Sequence, residues 1–227
     1  MLFFALSGGI FPALLWLFFW LHEDSVHPEP RGLIALLFGA GMLMVLIALQ
    51  LERSAMLYVA AGLPLIFVWA GIEEVLKYGA AYFVALKSRF FDEPIDAVIY
   101  LIVVALGFAA LENSLFLLST FSKSGLADGL ANEELRFIGA SLLHVISSAS
   151  IGIAAALSFY RDWFLRKTAF LLGLIAAISL HTIFNFFIMK DNGDNLFLVF
   201  GFVWVVAVIF ILIFEKIKRM GTYHYGQ

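Results

Sequence analysis

Apolar runs of about 20 residues recur along the chain, with short polar breaks between them. A helix rises about 1.5 Å per residue, so a run of this length crosses the hydrocarbon core of a bilayer. Only 14% of the residues are charged and 63% are hydrophobic, whereas soluble domains carry about one quarter charged residues. The sequence therefore predicts an all-α fold, a polytopic transmembrane helix bundle, with spans near 2–21, 32–51, 55–86, 97–118, 136–160, 168–189 and 195–214.

The third span, 55–86, is longer than one membrane thickness requires. Pro64 and Gly71 lie inside it as candidate kinks, but no polar turn interrupts residues 55–71. We predict one long, bent helix and hence seven spans. Two shorter segments and eight spans are the alternative.

Loops between the spans are short, so the chain is predicted to be one transmembrane domain over residues 1–227, with its first span retained. The net charge of −3 and the scattered basic residues exclude a nucleic-acid footprint. Nine Lys and Arg residues lie on one side of the seven spans and four on the other. Positive charge marks the cytoplasmic side, which predicts an external N-terminus and a cytoplasmic C-terminus.

Charged and polar side chains inside the spans are the strongest functional signal. A charge at the centre of a membrane helix costs on the order of 3 kcal/mol, so it needs a partner or a task. From the predicted cytoplasmic ends, one residue in each of spans three to six lies about 13 to 16 residues deep, which predicts a shared level in the membrane. The intramembrane set is Glu73, Glu74, Lys77, Glu112, Asn113, His144, His181 and Asn185.

Three carboxylates and one ammonium in this set leave a formal charge of −2 in a medium of low dielectric constant. Either some acids are protonated or a divalent cation binds among them, and the two histidines favour the cation. Zinc suits histidine and carboxylate ligands, and it lowers the pKa of a bound water. An ion-paired cluster that only fixes helix packing is the structural alternative.

The spacing of these residues along each helix suggests different roles for them. Lys77 lies within reach of both Glu73 and Glu74, so one acid can act chemically while the other pairs with the lysine. His181 and Asn185 are four residues apart and share a helix face. Asn185 is therefore a candidate to orient the histidine or to donate to a developing oxyanion.

Ordered motifs at these positions resemble the PrsW family of intramembrane proteases and, more distantly, the CAAX-processing and bacteriocin-processing membrane proteases. Asn185 departs from the Asp often found in PrsW proteins. The resemblance implies hydrolysis of peptide bonds in membrane-anchored proteins of a bacterial or archaeal cell membrane, with an anti-sigma factor as one candidate substrate. The matching stretches are Glu73-Glu74-Val75-Leu76-Lys77, Asp96-Ala97-Val98-Ile99-Tyr100, Gly107 to Asn113, Arg136 with His144, and His181 with Asn185.

We therefore predict a peptidase whose catalytic helices lie within about residues 55–189. The predicted metal ligands are Glu112, His144 and His181, with a divalent ion, zinc by preference. Glu73 or Glu74 is the predicted general base, tuned by Lys77, and Asn185 completes the catalytic set. A proton- or cation-coupled transporter is the alternative function, because buried acids and histidines also build relays, and membrane lipid is a partner in either case.

Overall fold

The computed structural model describes the backbone of residues 1–23, 28–190 and 196–224, and the side chains of these residues except 124, 126–138, 189–190, 196–199 and 221–224. Seven α-helices and one π-helical turn, with no strand, make up this described part. They are α1 (Leu2–Glu23), α2 (Arg31–Ala55), α3 (Leu63–Ala81) with its π-helical turn (Tyr82–Leu86), α4 (Pro94–Ser124), α5 (Leu126–Leu157), α6 (Trp163–Lys190) and α7 (Leu196–His224). The predicted all-α fold is confirmed.

Six of these helices are long and apolar enough to cross a membrane, and α3 is the exception because it carries three charges. The chain is therefore an integral, multi-pass membrane protein. Lys218 near the end of α7 contacts Glu23 at the end of α1, with 3.0 Å between Nζ and Oε2. With helices that alternate in direction, this contact places the ends of α1 and α7 on the same side of the bundle, as the seven predicted spans require.

The third helix begins later than the sequence suggested. Our prediction of one helix from Ala55 is wrong, because α2 ends at that residue and the chain turns before α3 begins at Leu63. Gly62 has φ of 96°, a left-handed conformation that glycine adopts without steric cost. Pro64 stands in the first turn of α3, where its missing N–H is not needed, and it produces no kink.

Helix α4 is the centre of the bundle and is continuously buried from Pro94 to Ala110. Helices α2, α3, α6, α5 and α4 contact one another in that order and close into a ring. Helix α1 packs outside the ring against α4, and α7 packs mainly against α5. The ring thus contains every helix to which the sequence assigned catalytic residues.

Glycines let the helices of the ring approach closely. A Cβ atom at Gly41 of α2 would overlap the carbonyl oxygen of Val104 in α4. Likewise, a Cβ atom at Gly107 of α4 would overlap the carbonyl oxygen of Phe38 in α2. Small residues at such crossings are the usual means by which membrane helices pack tightly.

Asp96 and Tyr100, from one of the matching stretches, tie down the loop that precedes α4. The carboxylate of Asp96 accepts hydrogen bonds from the backbone N–H groups of Asp92 (3.0 Å) and Glu93 (2.7 Å). The hydroxyl of Tyr100 donates to the carbonyl oxygen of Phe90 (2.8 Å). These two residues therefore cap the helix and order the connection from α3, at a distance from the other polar residues of the spans.

The close crossing of α2 and α4 predicts that alanine substitutions at two glycines of α2 differ in their effect on stability. Gly41→Ala forces the α2 and α4 backbones apart, and we expect it to lower the free energy of unfolding by roughly 1–3 kcal/mol. Gly39→Ala meets no atom within 4 Å and should leave stability unchanged or raise it by up to about 1 kcal/mol. Thermal unfolding in detergent measures both; equal midpoints for the two variants would contradict the close crossing.

Candidate active site

Four helices of the ring carry the predicted polar residues into one cluster. Helix α3 supplies Glu73, Glu74 and Lys77, and each of α4, α5 and α6 supplies one further residue. The cluster is linked by a continuous set of hydrogen bonds and ion pairs. Residues from four helices therefore meet at one level of the bundle, as their depths along the spans predict.

Lys77 is the centre of this cluster and is completely buried. Its ammonium lies 2.8 Å from Oε1 of Glu74 and 3.3 Å from Oε2 of Glu73. It also lies 2.8 Å from Nδ1 of His144 and 4.4 Å from the centre of the Phe108 ring. One cation thus compensates two carboxylates and fixes an imidazole, the arrangement that a buried charge requires.

Glu74 is fully buried and all its contacts are structural. Besides Lys77, it accepts hydrogen bonds from Nδ1 of His181 (2.9 Å) and from the hydroxyl of Ser148 (2.8 Å). It does not line the cavity described below. Glu74 therefore holds the ring of His181 from the side that faces away from the cavity wall.

The contacts of His144 determine its tautomer. An ammonium only donates hydrogen bonds, so Nδ1 of His144 accepts from Lys77 and the ring proton lies on Nε2. Nε2 donates to Oε2 of Glu112 at 2.7 Å. Glu112 is 40% exposed, in contrast to the buried histidine. His144 thus connects the buried ammonium of Lys77 to the partly exposed carboxylate of Glu112.

One group in the described part of the chain has ligand atoms close enough to hold a metal ion. Glu73, His144 and His181 each offer one ligand atom, and the three atoms lie within 4.8 Å of one another. Because Nδ1 of His181 donates to Glu74, its Nε2 is free for a metal, as in most metal-ligating histidines. An ion on Nδ1 of His144 would replace the hydrogen bond from Lys77. The donor set therefore fits a divalent ion, with Glu73 in the third place for which the sequence suggested Glu112.

The remaining predicted residues lie around this cluster. Asn185 lines the cavity one helical turn after His181. Asn113 also lines it, and its amide donates to the hydroxyl of Ser141 (3.1 Å), a bond that joins α4 to α5. The side chain of Arg136 lies outside the described residues.

A cavity of about 230 Å³ opens beside the cluster. Glu73, Glu112, His144 and His181 form its polar wall, and Phe116, Leu143, Phe184 and Ile188 are among its apolar lining residues. Two further residues, Glu52 and Trp69, also line it and were missed by the sequence analysis. Glu52 falls one residue beyond the predicted second span, beside Arg53, where it resembles an ordinary interfacial charge.

The amino-acid sequence matches a known protein family. The family model of the PrsW intramembrane metalloproteases matches residues 29–213, which include every residue of the cluster. The chain belongs to the PrsW family. The resemblance noted in the sequence is confirmed, and the chain is an intramembrane protease rather than the transporter considered as its alternative.

Curated relatives support the PrsW assignment. Protease PrsW of Oceanobacillus iheyensis is 27% identical over 208 residues, 89% of this chain and 92% of that protein. Protease PrsW of Halalkalibacterium halodurans is 26% identical over 226 residues, 94% and 98% of the two chains. That of Geobacillus kaustophilus is 32% identical over 128 residues, which span 55% of this chain and 57% of that protein. No solved structure matches the chain.

The contacts of Lys77 predict that removing this cation strongly destabilises the protein. Lys77→Met leaves two buried carboxylates without their ammonium, and we expect the free energy of unfolding to fall by roughly 3–5 kcal/mol. Adding Glu74→Gln removes one of these charges and should recover part of the loss. Thermal unfolding in detergent measures the series, with the exposed Lys123→Met as control; an unchanged midpoint for Lys77→Met would show that the cluster is not coupled to stability.

Proposed function

We propose that Glu73, His144 and His181 hold one divalent ion, zinc by preference, and that Glu112 is the general base for peptide hydrolysis. The proximity of the three ligand atoms carries this proposal. Two imidazoles and one carboxylate are a ligand set typical of catalytic zinc, which keeps a fourth position open. An ion bound there would polarise the scissile carbonyl and the attacking water.

Glu112 suits the role of base because its carboxylate faces the cavity. In the attack, Glu112 takes a proton from water while the water oxygen bonds to the carbonyl carbon of the peptide. The same carboxyl then returns the proton to the amide nitrogen as the C–N bond breaks. This assignment exchanges the roles that the sequence suggested for Glu73 and Glu112, since Oε2 of Glu73 lies between the two imidazoles, 3.8 Å from Nδ1 of His144 and 3.7 Å from Nε2 of His181.

The other residues support these two roles. Glu74 holds the ring of His181 so that Nε2 faces Glu73, 3.7 Å from its Oε2. Lys77 holds the carboxylates of Glu73 and Glu74, and so acts as a positioning residue. Asn185 offers an amide N–H on the cavity wall that can donate to the carbonyl oxygen as negative charge develops there.

The substrates we propose are membrane-anchored proteins, with an anti-sigma factor as one candidate by family resemblance.

We also propose an external N-terminus and a cytoplasmic C-terminus, because nine of the basic residues lie at the end of the bundle that contains Glu23 and Lys218. A reporter fused after residue 227 should be active only in the cytoplasm. Activity of that reporter only outside the membrane would reverse the orientation.

Three matched substitutions separate the roles of the carboxylates. Glu73→Gln should lose both bound metal and cleavage of a membrane-anchored reporter protein, because a metal ligand is removed. Glu112→Gln should retain metal and lose cleavage by about 10²-fold or more, the usual effect of a lost general base. Glu74→Gln should retain part of both, because Gln still accepts a hydrogen bond from His181.

Metal content and cleavage rate are measured on the same purified samples, with folding checked by thermal unfolding. Loss of metal in Glu112→Gln together with retention in Glu73→Gln would restore the ligand set suggested by the sequence. Reporter cleavage at the wild-type rate in all three variants would contradict the site itself.

A further inference from the structure

Glu52 is the one carboxylate on the cavity wall to which the proposed mechanism gives no task. It lies in the last turn of α2, next to the turn that leads into α3. The indole N–H of Trp69 in α3 donates to its backbone carbonyl oxygen at 3.3 Å. This contact holds the backbone of Glu52 against α3, and both residues line the cavity.

Each basic side chain of the cluster is engaged by another carboxylate. Lys77 contacts Glu73 and Glu74, His181 contacts Glu74, and His144 contacts Glu112. Among the described residues, no hydrogen bond or ion pair reaches the carboxylate of Glu52. It also lies outside the group of ligand atoms that suits a metal ion.

A carboxylate in such surroundings favours a cation from outside the chain. Glu52 is partly buried, and a cationic ligand offsets the cost of holding an unpaired charge that is partly removed from water. Trp69 adds an aromatic wall to the same cavity, and indole is the ring that attracts cations most strongly. The cavity is also the place where substrate must lie if the residues beside it perform the hydrolysis.

We propose that Glu52, with Trp69, selects substrates that place a lysine or arginine side chain close to the scissile bond. This inference rests on the proposed function, because it assumes that the cavity holds the substrate during cleavage. Glu52 is then a specificity-determining residue, and it takes no part in the bond-breaking step. Its contribution appears in substrate binding, and hence in KM more than in kcat.

Single-span peptides in nanodiscs test the proposal. The probes are Leu/Ala peptides that carry lysine, norleucine or glutamate at successive positions of one segment, and mass spectrometry locates each cleavage. Wild type should cleave the best lysine peptide with kcat/KM at least tenfold above its norleucine counterpart. Glu52→Gln should abolish this preference through KM, Glu52→Lys should favour the glutamate peptide, and Glu215→Gln on α7 should behave as wild type.

Equal losses for the lysine and norleucine peptides in Glu52→Gln, or no lysine preference in wild type, would overturn the proposal. Equilibrium binding of dye-labelled lysine and norleucine peptides to the same nanodiscs keeps this failure separate from failure of the proposed function. If wild type cleaves no peptide, the proposed function fails, and binding still decides the role of Glu52. The proposal is supported if wild type binds the lysine peptide more tightly than the norleucine peptide and Glu52→Gln removes this difference. Equal binding of both peptides to wild type overturns it.

Discussion

The buried ammonium of Lys77 is the interaction on which the rest of the site depends. It compensates Glu73 and Glu74 and fixes the ring of His144, so α3 and α5 meet at one charge, and α4 is joined to them through Glu112, the other partner of His144. Without such a cation, carboxylates in the interior of a membrane protein would be protonated or the helices would separate. Glu74 extends the same network to the fourth helix through His181.

The fold surrounds this cluster with a ring of helices that pack closely. Glycines at the crossing of α2 and α4 allow backbone contact, and α1 and α7 cover the outside of the ring. The polar groups therefore lie on rigid helices, which is the condition for a site whose geometry must be held within a fraction of an ångström. The cavity lies beside the cluster and is lined by Glu73, Glu112 and Asn185.

Much of this arrangement is predictable from the sequence, because the membrane makes buried charges rare and costly. Glu73, Glu74, Lys77, Glu112, His144 and His181 stand out against apolar spans, and their depths along the helices place them at one level. The turn before α3 was missed because its residues are apolar, and the decisive feature is the positive φ of Gly62. The division of roles among the acids was also beyond the sequence, since spacing gives depth but not which oxygen faces which imidazole. Glu52 escaped notice because hydropathy alone cannot separate a cavity wall at a helix end from an interfacial residue.

We propose a division of tasks among the carboxylates of the membrane interior, in which Glu74 is held by lysine and histidine and the others serve an ion, a water and a substrate. The central claim is that two imidazoles from α5 and α6 and one carboxylate from α3 bind the same metal ion. X-ray absorption spectroscopy of the purified, zinc-loaded protein tests this most directly. We predict nitrogen and oxygen ligands at about 2.0–2.1 Å with scattering from two imidazole rings, and loss of one ring's contribution in His181→Ala. A spectrum without imidazole scattering, or one that His181→Ala leaves unchanged, would contradict the account.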